Sequence, residues 1–182
     1  MTAALADTTE LMRRTPDVLR ALLSGIPTTW LETQDVEGGW TPKDVVGHLI
    51  TTELDGWRPR MERLVEHGTD RPFDSLDRFK HVGRDDGATL DELVDRFAAL
   101  RRENLERLDA LVGDGDLGRR GMHPALGEVT LGELLASAAV HDLDHISQIF
   151  AGMAGSHDRD VGGWKQYLGI LLRRDDPAAV AG

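Results

Sequence analysis

Cysteine is absent from the 182 residues. That excludes a disulfide scaffold, an iron–sulfur cluster, a cysteine-type zinc finger and a cysteine nucleophile. Any transition-metal site must therefore be built from histidine and carboxylate. Basic residues are scarce too: 21 stand against 32 acids, a formal net charge of −11. Such a surface repels phosphate backbones and argues against a nucleic-acid partner. Long apolar runs are missing, the longest falling far short of the ~20 residues that span a bilayer. Met1 to Leu11 carries Asp7 and Glu10 and has no apolar stretch of signal-peptide type. The expectation is a soluble cytoplasmic protein without a membrane partner. Tyrosine occurs once, and alternating Val, Ile and Thr runs are lacking, so strand signals are weak. No Gly-x-Ser-x-Gly elbow and no Walker loop is found. What remains is 40% hydrophobic and 29% charged, the composition of one globular domain over residues 1–182.

Helix signals recur along the chain and predict an all-α four-helix bundle. A first helix is expected from about Ala4 to Ser24, with Thr15-Pro16 either kinking or starting it and Gly25 and Pro27 stopping it. A second opens at Thr41-Pro42, with Thr41 as N-cap and Asp44 three residues on. It should run to about Glu66, with a kink after Trp57 from Gly56 and Pro59. A third opens at Thr89, carries Asp91 and Glu92 in its first turn and ends at Gly113. A fourth opens at Thr130 with Glu133 as its box partner and closes at Gly152 and Gly155. A short C-terminal helix is expected over Trp164–Arg174, with a frayed tail after Asp175. The three links, Gly25–Trp40, His67–Ala88 and Gly113–Val129, are long for a bundle. Links of that length can cross a bundle end to end and can cover a site.

The seven histidines sort by helical angle. With Leu131 at zero, His145 falls at about −40° and His141 at about −80°, one turn apart beside the core face. This is the spacing by which one helix offers two imidazoles to one metal. Asp142 falls at about +20°, also inward. On the second helix, with Val45 at zero, His48 lies at about −60°, at the margin of the apolar stripe. Glu53 lies at about +80°, within the stripe. A lone buried carboxylate is too costly, so Glu53 needs a partner: an N–H of a ligating histidine, or an arginine. Arg101 and Asn104 interrupt the apolar face of the third helix; Arg101 can supply that partner or snorkel its long stem out of the core. Asp142 serves either as a ligand or second-sphere group or as a structural hydrogen-bonder. His67, His81 and His157 read as surface residues. His123, before Pro124, takes a loop role or sits over the site.

Two segments carry a resemblance: GGWTPKDVVGHL at Gly38–Leu49 and HPALGEVTLGELLASAAVHDLDHISQI at His123–Ile149. With TPDVLRALLSGIP near the start and FAALRREN at Phe97–Asn104, the chain resembles, over nearly its whole length, the DinB-like superfamily of YfiT-type metalloproteins. The resemblance implies an up-down-down-up four-helix bundle with a long crossover between helices two and three. It implies a divalent metal on His48, His141 and His145, and frequent homodimers. Histidine ligation suits zinc first, with nickel, iron or manganese as alternatives. Relatives include S-transferases that use mycothiol or bacillithiol and a thiol-dependent maleylpyruvate isomerase. A metal can strip the proton from a bound thiol or water, and this chain has no thiol of its own. The leading expectation is therefore a thiol S-transferase acting on small electrophiles, in detoxification or stress. In it Arg101 and Asn104 bind substrate, and Glu53 or Asp142 orients an imidazole. The alternatives are a metal-dependent hydrolase of a small amide or ester, with Glu53 or Asp142 as base, and a non-catalytic metal-binding bundle.

Overall fold

The computed structural model describes residues 5–82 and 87–174, so the expected tail after Asp175 lies outside the described residues. Helix α1 runs Leu5–Leu23, α2 is the single turn Thr28–Leu31, and α3 spans Pro42–Thr51. A π-helical turn, Thr52–Trp57, joins α3 to α4 at Arg58–His67, and α5 follows at Leu90–Leu111. Strands β1 (Arg120–His123) and β2 (Gly127–Thr130) precede α6 (Leu131–Gly155), and α7 (Gly169–Arg174) follows it.

Three of the four bundle helices begin as their sequences dictate. Thr41 with Asp44, Thr89 with Glu92, and Thr130 with Glu133 each form a reciprocal capping box. Each box satisfies two backbone donors that a helix start would otherwise leave bare. Pro16 does not break α1; the helix passes through it and buries it. The expected kink after Trp57 takes another form. Pro59 has no N–H and its ring crowds the carbonyl four residues back. The chain absorbs this by widening the turn at Thr52–Trp57 to π geometry and continuing. The C-terminal helix is also split: a 3₁₀ stretch, Gly162–Tyr167, precedes α7.

Cross-links set the topology. Arg13 approaches Asp109 at 4.0 Å and Arg20 pairs with Asp95, so α1 and α5 are antiparallel. Arg58–Glu103 at 2.7 Å and Arg107–Glu62 at 3.0 Å make α4 and α5 parallel. At one end Met12 clusters with Leu131, Leu134 and Leu135; at the other Leu19 and Leu23 meet Ile149 and Met153, so α1 and α6 are parallel. The bundle is up-down-down-up, with α3–π–α4 acting as its second helix. Two parallel consecutive helices require the link between them to return along the bundle, which accounts for the length of the segment from Gly68 to Thr89.

The hairpin is an element that weak strand signals did not predict. Its four residue pairs run from Arg120↔Thr130 to His123↔Gly127. It packs on α4 through Gly121, where a Cβ would meet Phe73 Cζ at 2.9 Å and Leu64 side-chain carbons at 3.0 Å. Only glycine lets β1 sit that close.

Candidate metal centre

His48 comes from α3, and His141 and His145 come from consecutive turns of α6. Their Nε2 atoms converge: His48 to His141 is 3.3 Å and His145 to His141 is 3.2 Å. One ligand atom from each lies within 4.8 Å of both others. The second ring nitrogens fix the tautomers. His48 Nδ1–H donates to the Arg78 carbonyl at 3.1 Å, and His145 Nδ1–H donates to Gln148 Oε1 at 2.9 Å. Both rings thereby turn an Nε2 lone pair toward His141. One N–H on His141 can satisfy only one of them.

The rings are held neutral. Burial first, and then the neighbouring imidazoles, lower His48 and His141 from 6.5 to about 3. Burial also lowers His145. Three convergent neutral imidazoles are the donor set that a divalent cation requires. Ligand nitrogens at the usual distance from a tetrahedral ion lie about 3.3 Å apart, which is the separation found. The residues fit the ion.

Two tryptophans flank the centre, Trp40 from a link without periodicity and Trp57 from the end of the π turn. Trp40 lies 4.7 Å from the His48 ring and 6.0 Å from that of His145, and Trp57 meets the His141 ring edge-on at 5.3 Å. His81 corrects an expectation. It is buried rather than on the surface, 5.6 Å from His48, and its Nδ1–H shares the Arg78 carbonyl at 3.1 Å. The long second link therefore covers the site. His157 is exposed and bonds Asp160 at 2.9 Å. His123 ends strand β1, its Nδ1 accepting from the Ala125 and Leu126 N–H groups at 3.2 Å each.

Glu53, Asp142, Arg101 and Asn104 meet in a separate buried network, in which Glu53 finds in Arg101 the partner its inward position called for. Arg101, 1% exposed, donates from Nε and Nη2 to Glu53 Oε1 at 3.0 and 2.8 Å. It donates from Nη1 and Nη2 to Asp142 at 2.5 and 2.9 Å, and from Nη1 to the Met12 carbonyl at 2.7 Å. All five of its N–H donors are used, leaving none for a substrate carboxylate. Asn104 spends both amide hydrogens on Glu53 Oε2 at 2.8 Å and the Glu53 carbonyl at 3.1 Å. Thr15 completes Asp142 at 2.7 Å. Neither carboxylate bonds an imidazole among the described residues, and every oxygen of both already accepts at least one hydrogen bond. Burial alone would lower the Arg101 pKa, but Glu53 and Asp142 hold it above the ordinary value. Two carboxylates against one guanidinium leave one buried negative charge, which complements a cation nearby.

Fold and site together define a four-helix bundle with a three-histidine cluster able to hold a divalent metal ion. The family model described as the DinB superfamily matches residues 11–149, and the chain belongs to that superfamily. Its fold is shared with YfiT from Bacillus subtilis, described as a probable metal-dependent hydrolase with an unusual four-helix bundle topology. That likeness has TM-score 0.70 and 20% identity over 86% of this chain and 87% of the other. TT2238, described as a four-helix bundle protein, is similar at TM-score 0.57 and 22% identity, over 80% of this chain and 98% of the other. No curated protein matches the chain. No described helix is long and apolar enough to cross a membrane.

Proposed function

We propose that the chain is a metal-dependent hydrolase of small amides or esters. The carrying observation is the convergence of three neutral Nε2 atoms at 3.2–3.3 Å, with no fourth protein ligand in the cluster among the described residues. A divalent ion bound there supplies Lewis acidity and lowers the pKa of a bound water or thiol. His48 and His145 keep their lone pairs on the centre because Arg78 and Gln148 hold their other nitrogens. Trp40 shields two of the ligand rings from water. His141 is the least buried of the three, so substrate approaches from its side, past Trp57. The network around Arg101 ties the segment after His48 to α6 and acts through position alone. The description of YfiT supports the same reaction class.

The absence of cysteine favours one second reading, a transferase that activates an external thiol such as mycothiol or bacillithiol. One experiment separates the two. Untagged, metal-loaded protein is given a chromogenic ester and an anilide, with and without a small thiol. Hydrolysis without thiol, abolished in His141→Ala, is the expected result. Conjugation that requires thiol establishes the transferase. Bound metal with neither activity leaves a binding protein and ends both readings.

A further inference from the structure

Among the described residues a partly buried cation stands unpaired on α4, one turn beyond Trp57, whose ring meets His141. Arg60 on α4 has no hydrogen-bond or ion-pair partner among the described residues, and its Nε is sealed from solvent without an acceptor. Its neighbours differ: Arg58 pairs with Glu62 and Glu103, and Arg63 pairs with Asp74. Burial lowers its pKa and no carboxylate counters the shift. In a chain with 32 acids, a half-buried arginine that meets none of the described ones is a site prepared for an anion from outside.

The backbone places a second donor beside it. Strand β1 runs against α4 in the opposite sense: the Arg120 carbonyl lies near Gly68, and Gly121 abuts Leu64. Residues 121 and 123 share a strand face, roughly 6.6 Å apart. Leu64 and Arg60 share a helix face, roughly 6 Å apart. The two spacings match, so His123 falls opposite Arg60, and the Arg60 charge accordingly helps burial to lower the His123 pKa. The Ala125 and Leu126 N–H groups occupy Nδ1 of His123, so its Nε2 carries the hydrogen and donates. One guanidinium and one neutral N–H carry a single positive charge, which matches a carboxylate better than a phosphate dianion. Trp57, three residues before Arg60 on the same face, touches the His141 ring and connects the two places.

We propose that Arg60 and His123 bind the carboxylate of a small anionic substrate whose reacting bond reaches the three-histidine centre. The substrate class rests on the catalytic reading above; the anion site itself does not, and the test needs no turnover. The metal-free full chain is titrated with acetate at constant ionic strength while the His123 ring resonances are followed. A saturable shift is expected. It weakens roughly tenfold or more in Arg60→Met, which keeps the packed stem, and returns in part in Arg60→Lys. No saturable shift, or the same affinity in Arg60→Met with an unchanged melting temperature, overturns the proposal. If Arg60→Met fails to fold, Arg60→Lys and Arg60→Gln decide it: equal acetate affinity in both refutes a charge-dependent site. Inorganic phosphate at the same ionic strength is the comparison, and tighter binding of phosphate than of acetate overturns the carboxylate assignment.

Discussion

Arg101 joins three elements through five hydrogen bonds, yet touches none of the three ligating imidazoles. Replacing it by methionine leaves two carboxylates buried without a counter-charge, and breaking a buried pair in this way costs about 3–5 kcal/mol. Arg101→Met should therefore melt far below the parent by circular dichroism. Adding Glu53→Gln and Asp142→Asn should recover part of the loss. The ligand histidines make a prediction of opposite chemistry. In the folded chain His48 and His141 lie at about 3, below the unfolded 6.5, and burial lowers His145 in the same direction. Below pH 6.5 the unfolded chain takes up protons that the folded chain refuses. Metal-free stability should be greatest above about pH 6.5 and fall as pH drops toward 3, as urea melts at several pH values would show. Metal affinity should change little between pH 7.5 and 5.5 because the ligands are already deprotonated, which competition with a chromophoric chelator measures. Much of this centre was legible in the chain. His141 and His145 stand four apart on one helical face, and Glu53 within an apolar stripe announced that it needed a partner. Trp40, His81 and Arg60 were not legible. The first two reach the site from links without periodicity, and the third is marked only by what fails to surround it.

Among the elements, the helices declared themselves and the hairpin did not. A threonine followed three residues later by aspartate or glutamate has a local mechanism, and it forms a capping box at the start of α3, α5 and α6. Strands of four residues with Gly121 and Gly127 in them have too little alternation to register. They exist because of a tertiary contact with Leu64 and Phe73. Gly121→Ala should test that contact. The added carbon meets Phe73 and Leu64 at 3.0 Å or less, and overpacking of this kind costs about 1–3 kcal/mol. Faster amide exchange should be confined to the hairpin and the adjoining turn of α4. Uniform destabilisation of the bundle would show that β1 is more than a docked flap.

At the scale of the molecule, the parallel run of α4 and α5 forces the second link to travel the length of the bundle, and on its way it lends the Arg78 carbonyl to two histidines. The link is therefore coupled to the centre through His48. Stripping metal with a chelator should speed hydrogen exchange around residues 78–82 while leaving the middle of α5 unchanged. Equal protection in both states would uncouple them. The long links pointed to this crossover through their length, whereas their sequences gave no sign of what they cover, because irregular segments follow the surface that the helices present.

The π turn at Thr52–Trp57 sets the rotational phase of α4 relative to α3. Each helical residue turns the chain by about 100°, and a π turn inserts one residue without ending the helix. His48 lies before the turn; Trp57, Arg60 and Leu64 lie at its end or beyond. A chain shortened by one residue here would gain a more regular helix and swing those three side chains by about a quarter turn relative to His48. Single-residue gaps in this segment are thus gentle to the backbone and severe for the site. Insertions and deletions here separate the two demands more sharply than substitutions do.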